Sequence, residues 1–390
     1  MRNWRILLCV AALATLANSA TGAPHVPEDD AVVLERLPEK GDPALAQLKR
    51  MRAELTRNPR NLERALAVAR NALDAARTLG DPRFLGQAQA ALAPWWLPED
   101  VPAPALLLRA TLKQSQHDFG GSINDLDRLL AAQPSFAQAR LTRATVLGVV
   151  GRYADARRDC AALAGRSAAI VVAACDATPA SLSGNSLDAY ETLLRALEHP
   201  GGDADVREWA LTLLAEIAAR RSDATAADRH FRAALALDPR DAYLKGAYAD
   251  FLLDQNRARD VVPLLRSDER NDGLLLRLAL AEQRLPDESV SFARHKEDLA
   301  ARFDAARRRG DSVHRREEAR FRLAIEHDDR GALALARANW SVQREPADLR
   351  ILLEAAQSAG DAETVKVATD WIAANRMEDV TRLVRAERTQ

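Results

Sequence analysis

Apolar residues recur at helical spacing along most of the chain, most plainly between Arg207 and Leu265. Leu211, Leu214, Ala215 and Ala218 fall at i, i+3, i+4 and i+7, one stripe of a helix. Ala227, Phe231, Ala234 and Leu235 form the matching stripe of a second helix. Ser222-Asp223 between them suits a turn and an N-cap, and Asp238-Pro239 stops the unit because proline cannot continue a helix. The unit then recurs: Ala249, Val261 and Leu265 follow Ala215, Ala227 and Phe231 at an interval of 34 residues. Two short helices cannot bury both stripes alone, so neighbouring units must stack.

The same reading extends in both directions. A single helix over Ala44 to Arg57 precedes helices over Leu62 to Thr78 and Phe84 to Leu92, and residues 44–93 are read as the first group of helices. Residues 94–104 form a linker, since four prolines in Ala93 to Pro104 forbid a helix through it. Ala69 and its counterpart Ala110 are 41 residues apart, a surplus that matches an insertion there. Trp95 and Trp96 in this linker either plug the seam between units or stand out as an aromatic platform for a partner. Residues 105–376 carry the main array. Ala110 and Ala144, Phe119 and Tyr153, and Ser122 and Ala156 are each 34 apart. Units near 167–200 and 271–309 are irregular; in the first, Thr178-Pro179 is expected to break the helix. Residues 377–390 read as a short polar helix that would cap the open end.

A period of 34 with two helices per unit resembles the tetratricopeptide repeat, and Gly151-Arg152-Tyr153-Ala154-Asp155-Ala156 is similar to that family's inter-helix turn and second helix. The resemblance implies an all-α fold, an α-solenoid in which antiparallel helix pairs stack into a right-handed superhelix. The chain departs from the family at the early tryptophan, replaced by Leu106 and Leu211, and at the mid-helix glycine, which is Ala110, Ala144, Ala215 and Ala249. The irregular units therefore also suit a related α-solenoid repeat. The resemblance further implies that the first helix of each pair lines a concave groove for a protein or peptide partner. On that helix Trp209, Thr212, Glu216 and Arg220 share a side, and Tyr243, Asp250 and Asp254 match them one unit later. Such an aromatic and acidic stripe suits a peptide with apolar and basic groups, unless Trp209 and Tyr243 pack against neighbouring helices instead. The family's carboxylate-clamping lysine and asparagine pattern is absent.

The ends and the composition narrow the setting. Residues 1–23 have the form of a signal peptide: Arg2 and Arg5, an apolar run from Ile6 to Leu16, then small residues with cleavage expected between Ser19 and Ala23. Export to a bacterial periplasm follows, with no stable membrane insertion afterwards. Residues 24–43 are proline-rich and acidic and read as an extended arm, either pinned by Val32, Val33, Leu34 and Leu37 or loose. Basic and acidic residues nearly cancel, 55 against 56, which argues against nucleic-acid binding. Cys160 and Cys175 are the cysteines that remain after cleavage, and an oxidising compartment favours a disulfide between them over two buried thiols.

Catalytic signatures are missing. There is no Gly-rich phosphate loop, no G-x-S-x-G elbow and no H-E-x-x-H. His295 with Glu297 and Asp298, His314 with Glu317 and Glu318, and His327 with Asp328 and Asp329 could form a metal site. The arginines around them favour a solvated, salt-bridged surface. No cofactor and no metal is expected. The function expected is protein–protein interaction in an envelope, secretion or polymer-export assembly; the competing readings are a metal carrier and a spacer without a ligand.

Overall fold

A computed structural model describes residues 42–199, 201–311 and 313–378. The expected signal segment, nearly all of the expected arm, and the expected cap beyond Glu378 lie outside these residues. The chain divides into two compact units, residues 1–46 and 47–390. Of the first, residues 42–46 are described: the Asp42 carboxylate accepts from the Ala44 N–H at 2.8 Å and starts helix α1 (Pro43–Arg57).

The second unit is built of helix hairpins, and among the described residues no strand occurs. In order they are α2 (Leu62–Leu79) with α3 (Arg83–Ala91), α4 (Ala103–Ser115) with α5 (Phe119–Ala132), α6 (Ala137–Val149) with α7 (Tyr153–Ala161), and α8 (Ala169–Ser181) with α9 (Ser186–Glu198). There follow α10 (Ala204–Arg220) with α11 (Ala224–Leu237), α12 (Ala242–Asp254) with α13 (Ala258–Leu265), and α14 (Asp272–Glu282) with α15 (Ser289–Arg308). The last are α16 (Arg315–Phe321) with α17 (Asp329–Trp340) and α18 (Pro346–Ser358) with α19 (Ala362–Asn375). This is an all-α solenoid of stacked pairs.

The repeated positions do the stacking. Ala69, Ala110, Ala215 and Ala249 are fully buried and Ala144 nearly so, on helices whose closest neighbour is the second helix of the same hairpin. Phe119, Phe231 and Leu265, large residues of the second helices, are buried in the same clusters as Ala110, Ala215 and Ala249, while Tyr153 is buried against Leu182, Trp340 and Leu349. Within a hairpin the turn also repeats. The Arg152 N–H donates to Leu147 O, Asp223 to Ala218 O and Arg257 to Leu252 O, the six-residue closure that satisfies free carbonyls at a helix end. That closure places one residue in the left-handed region: His117, Gly151, Ser222 and Asn256 have φ of 61°, 78°, 63° and 58°. Only Gly151 adopts it without Cβ strain. The next residue then caps the second helix; the Asp118 and Asp223 carboxylates accept from the Gly121 and Ala226 amides.

Three local expectations change. Pro179 does not break α8, which runs on to Ser181. The proline falls in the last turn, where one intrahelical bond is lost, and its own carbonyl accepts from the Ser183 hydroxyl at 2.7 Å. In the part of the array expected to be regular beyond residue 309, α16 widens into a π-turn over Arg322–Glu326 and stops at His327, whose φ is 57°. Met377 and Glu378 are not helical; α19 ends before Arg376, at φ 51°.

The unit also winds back onto itself. The Arg77 guanidinium, in the last turn of α2, reaches the Asp241 carboxylate that caps α12 at 2.5 Å. The Arg344 N–H, between α17 and α18, donates to Val149 O at the end of α6, at 2.7 Å.

Cys160 and Cys175 form a disulfide between α7 and α8, with Cα atoms 5.5 Å apart. It lies in a buried cluster with Ala144, Leu147, Ala156 and Leu163. The bond closes a loop of 15 residues. Replacing both cysteines with alanine should cost about 3 kcal/mol by loop entropy. Urea midpoints with and without reductant measure that cost, and free thiols at these positions in the denatured, unreduced chain would disprove the bond. A second expectation concerns the hairpin turn: Ser222→Gly should stabilise by about 1 kcal/mol through relief of the left-handed backbone, read as a raised urea midpoint.

Candidate interaction surface

The first helices of the pairs, α10 to α18, bring a continuous row of charged side chains to one face. Tyr243 on α12 donates its hydroxyl to Glu216 Oε1 on α10 at 2.6 Å. Asp250, a further two turns along α12, accepts from Arg277 on α14 at 2.6 Å and from Arg320 on α16 at 2.6 Å. Asp254 accepts two bonds from Arg350 on α18, at 2.6 and 2.7 Å. Arg316 on α16 donates to Glu317 and to Glu345 and Asp348 at the start of α18. The row therefore connects five first helices by side chains rather than by backbone.

The 34-residue period explains which residues meet. Trp209, Tyr243 and Arg277 occupy one repeat position, and so do Glu216 and Asp250; Arg316 and Arg350 are again 34 apart. Each unit thus presents an equivalent side chain to its neighbour's.

Desolvation alone would raise every carboxyl on this face, and the local charges decide which way each moves. Burial pushes Asp250 up, but Arg277 and Arg320 outweigh it and hold the carboxyl well below the usual range. Burial likewise opposes ionisation of Glu317, yet Arg316 and Arg277 bring it down to about 2. For Glu216 burial wins over Arg220 and the Tyr243 hydroxyl, and the carboxyl is raised. Glu345 is raised for the same reason, with Arg316 offsetting only part of the burial. The Glu216 carboxylate beside it pushes the Tyr243 phenol well above its ordinary value.

The expected stripe is only partly on this face. Glu216, Tyr243, Asp250 and Asp254 belong to the row. Thr212 does not: it is 2% exposed and hydrogen-bonds to Glu208 Oε1 at 2.8 Å, because the 17-residue α10 is covered on more than one side by α8, α9 and α11. Trp209 is half-buried against the disulfide cluster and the cluster of Ile170, Leu193 and Leu213. Arg220 turns to the Ser181 hydroxyl at 3.0 Å. Trp95 and Trp96 are half-buried against the cluster of Ala88, Leu92 and Leu112. Their carbonyls accept from Arg109 at 3.0 and 2.9 Å, and Arg109, 3% exposed, is paired with Asp125 at 2.7 Å. This buried pair pins the linker.

One of the three C-terminal histidines departs from the expected solvated surface. His295 is 2% exposed, with Nδ1 2.7 Å from Glu282 Oε2 and Nε2 2.7 Å from the Arg294 guanidinium. His230 is buried, with Nε2 2.8 Å from the Tyr190 hydroxyl. No group of three metal-binding side chains is present among the described residues. Between α14, α16, α17 and α18 an open cleft of about 450 Å³ is lined by Leu280, Arg284, Arg320, Leu323, Arg350 and Glu354 among others.

No family model and no curated protein matches the chain. Solved structures do. A tetratricopeptide repeat protein from Parabacteroides merdae ATCC 43184 is similar at 11% identity and a TM-score of 0.36, over 74% of this chain and 98% of that one. The anaphase-promoting complex hetero-tetramer Cut9-Hcn1 is similar at 16% identity and a TM-score of 0.40, over 80% of this chain and 52% of that one. Yeast Tom70 is similar at 12% identity and a TM-score of 0.20, over 89% and 99%. The chain resembles tetratricopeptide repeat proteins in its fold.

The two classes of carboxyl act in opposite directions on stability. Asp250 and Glu317, held low, stabilise above the ordinary carboxylate range, and that contribution is lost as the pH falls through their folded values. Glu216, held high, favours the fold fully below that range and loses this contribution as the pH rises through its folded value. Glu216→Gln should therefore raise the thermal midpoint at neutral pH, and the difference from wild type should close in acid. An unchanged midpoint at neutral pH would place the Glu216 carboxylate in a solvated setting.

Proposed function

We propose that this chain is an exported, non-catalytic scaffold of tetratricopeptide type that binds a protein or peptide partner on the face lined by its first helices. Export to the periplasm is supported by the signal-like residues 1–23 and by a disulfide, which persists in oxidising compartments. The proposed setting is an envelope, secretion or polymer-export assembly. Nucleic acid is not the proposed partner, because acidic and basic residues nearly balance. Among the described residues no helix is long and apolar enough to cross a membrane.

One observation carries the choice of face. Tyr243 is 61% exposed while its hydroxyl is fixed on Glu216, so its ring is held out at low conformational cost. At the equivalent position Trp209 is taken up by packing, and Arg277 by Asp250 and the Gly246 and Gly273 carbonyls. An oriented aromatic ring beside carboxylates suits a segment with apolar and basic side chains.

A photo-reactive residue at position 243 should cross-link a partner in envelope extract that the same residue at Val290, 84% exposed on α15, does not capture. Tyr243→Ala should weaken that association by on the order of 2 kcal/mol, the scale of an aromatic hot spot. Identical products from both positions, or none from 243, would defeat this choice of face. Trp209→Ala is a poorer probe, since it removes packing from two clusters.

A further inference from the structure

We propose that the contact between the last helix pairs and the inter-helix turns of α6–α7 and α8–α9 is a clasp, which must open to admit a bulky partner to the inner face. This inference rests on the reading of that face as the binding surface.

The contact joins residues almost 200 positions apart through turns rather than helix flanks. The Arg344 N–H donates to Val149 O, and the Tyr153 hydroxyl donates to Arg344 O at 3.3 Å. The Arg344 guanidinium lies 4.7 Å from the Trp371 ring and 5.7 Å from the Trp340 ring. Trp371 in turn covers Gly151: a Cβ at that glycine would sit 2.6 Å from Trp371 Cζ2. A second strand of contacts lies beside it, where the Ser186 hydroxyl bonds Glu378 and Arg376 packs on Gly184.

Two features make this seam suited to opening. The Trp371 indole N–H is buried without a hydrogen-bond partner, a loss that water would relieve on separation. The α6–α9 side contributes Tyr153, Gly151 and Leu182, while the C-terminal side holds the larger part of the shared core, Ala336, Leu349, Leu352, Ala356 and Ala368. Separation therefore uncovers Tyr153 and Leu182 and leaves that larger part in place.

The consequence falls on the inner face. Arg316 and Glu345 lie within electrostatic reach of Tyr243, and Glu345 within reach of Glu216. His117, in the α4–α5 turn, lies within reach of Arg316, Glu317 and Asp348. On the same face α16 and α18 reach α12, through Arg320 to Asp250 and Arg350 to Asp254, so the C-terminal pairs cover the inner face beside Tyr243. Water reaches the ring, but a folded or bulky partner requires the C-terminal pairs to swing aside.

The test measures access without any partner. In the full chain with Cys9→Ser, Tyr243→Cys supplies the free thiol, since Cys160 and Cys175 are bonded. N-ethylmaleimide should label it at one rate whether the clasp is intact or broken. A bulky poly(ethylene glycol) maleimide should label it about tenfold faster when the clasp is broken by Trp371→Ala or by Gly151→Ala, equivalent to about 1.4 kcal/mol removed from the closed state. Gly151→Ala attacks the seam from the side that leaves the C-terminal core untouched, so it decides the matter if Trp371→Ala fails to fold by circular dichroism. Equal rates for the bulky reagent in clasped and broken proteins, fast or slow, would overturn the clasp. Size-dependent labelling without any cross-link at position 243 would keep the clasp and defeat the binding face alone.

Discussion

A hairpin of two short amphipathic helices has more apolar stripe than it can hide, and everything else in residues 47–390 follows from that. The remedy is to stack hairpins, and compact hairpins require that their two helices approach within the reach of a methyl group. Ala69, Ala110, Ala144, Ala215 and Ala249 stand where they do because a larger side chain would hold neighbouring helices apart. Each contact is modest, since alanine buries little area. Stability accumulates along the array from nearest-neighbour contacts, as expected when no single core dominates. The disulfide supports this arrangement at a weak point. The unit after α7 is irregular, and Cys160–Cys175 ties α7 to α8 where the period falters.

This also explains what could be read in the sequence and what could not. The period is written in local chemistry: a small residue, a turn that accepts φ > 0, an aspartate cap and a large apolar residue, all within 34 positions. Hairpin boundaries, the buried alanines and the Cys160–Cys175 pairing were legible for that reason. Pro179 misled because proline's effect depends on how much helix remains beyond it, and here only a fraction of a turn does. Thr212 misled because one stripe of α10 suggested a single buried face, whereas a helix in mid-array is contacted on several. The partners of Asp250 and Asp254 were out of reach altogether. Arg320 and Arg350 are 70 and 96 residues away, and no local rule joins an arginine to a carboxylate across that distance. The only signal was indirect, namely that Arg277 repeats the position of Tyr243, and Arg350 that of Arg316.

The inner face illustrates how charge behaves once helices have been forced together. Arginine is the common cation here, and its planar fork spans two helices at once, as Arg350 does with Asp254 and Glu354. Such pairs are half-buried and contribute less to stability than their short distances suggest, because both ions lose water. Their effect is to tie together first helices that lie far apart in the sequence. At Glu216 burial outweighs Arg220 and leaves the carboxyl high, and the neighbouring phenol supplies its hydrogen bond. The exposed ring of Tyr243 is thus a by-product of an incomplete ion-pair row, and that incompleteness gives the face its distinct spot.

Curvature and access are coupled in a solenoid of this kind. Each pair adds a small rotation, so a change at the stacking contacts alters how far the array winds before its ends meet other turns. In this chain the winding brings Arg344 to Val149 and Arg77 to Asp241 within a single unit. A contact between such distant residues costs loop entropy that local stacking does not, yet it closes only once the intervening pairs are formed, so most of that cost has already been met by stacking. A partner that binds the inner face need supply only the difference between the open and the closed winding, not the energy of unstacking a pair.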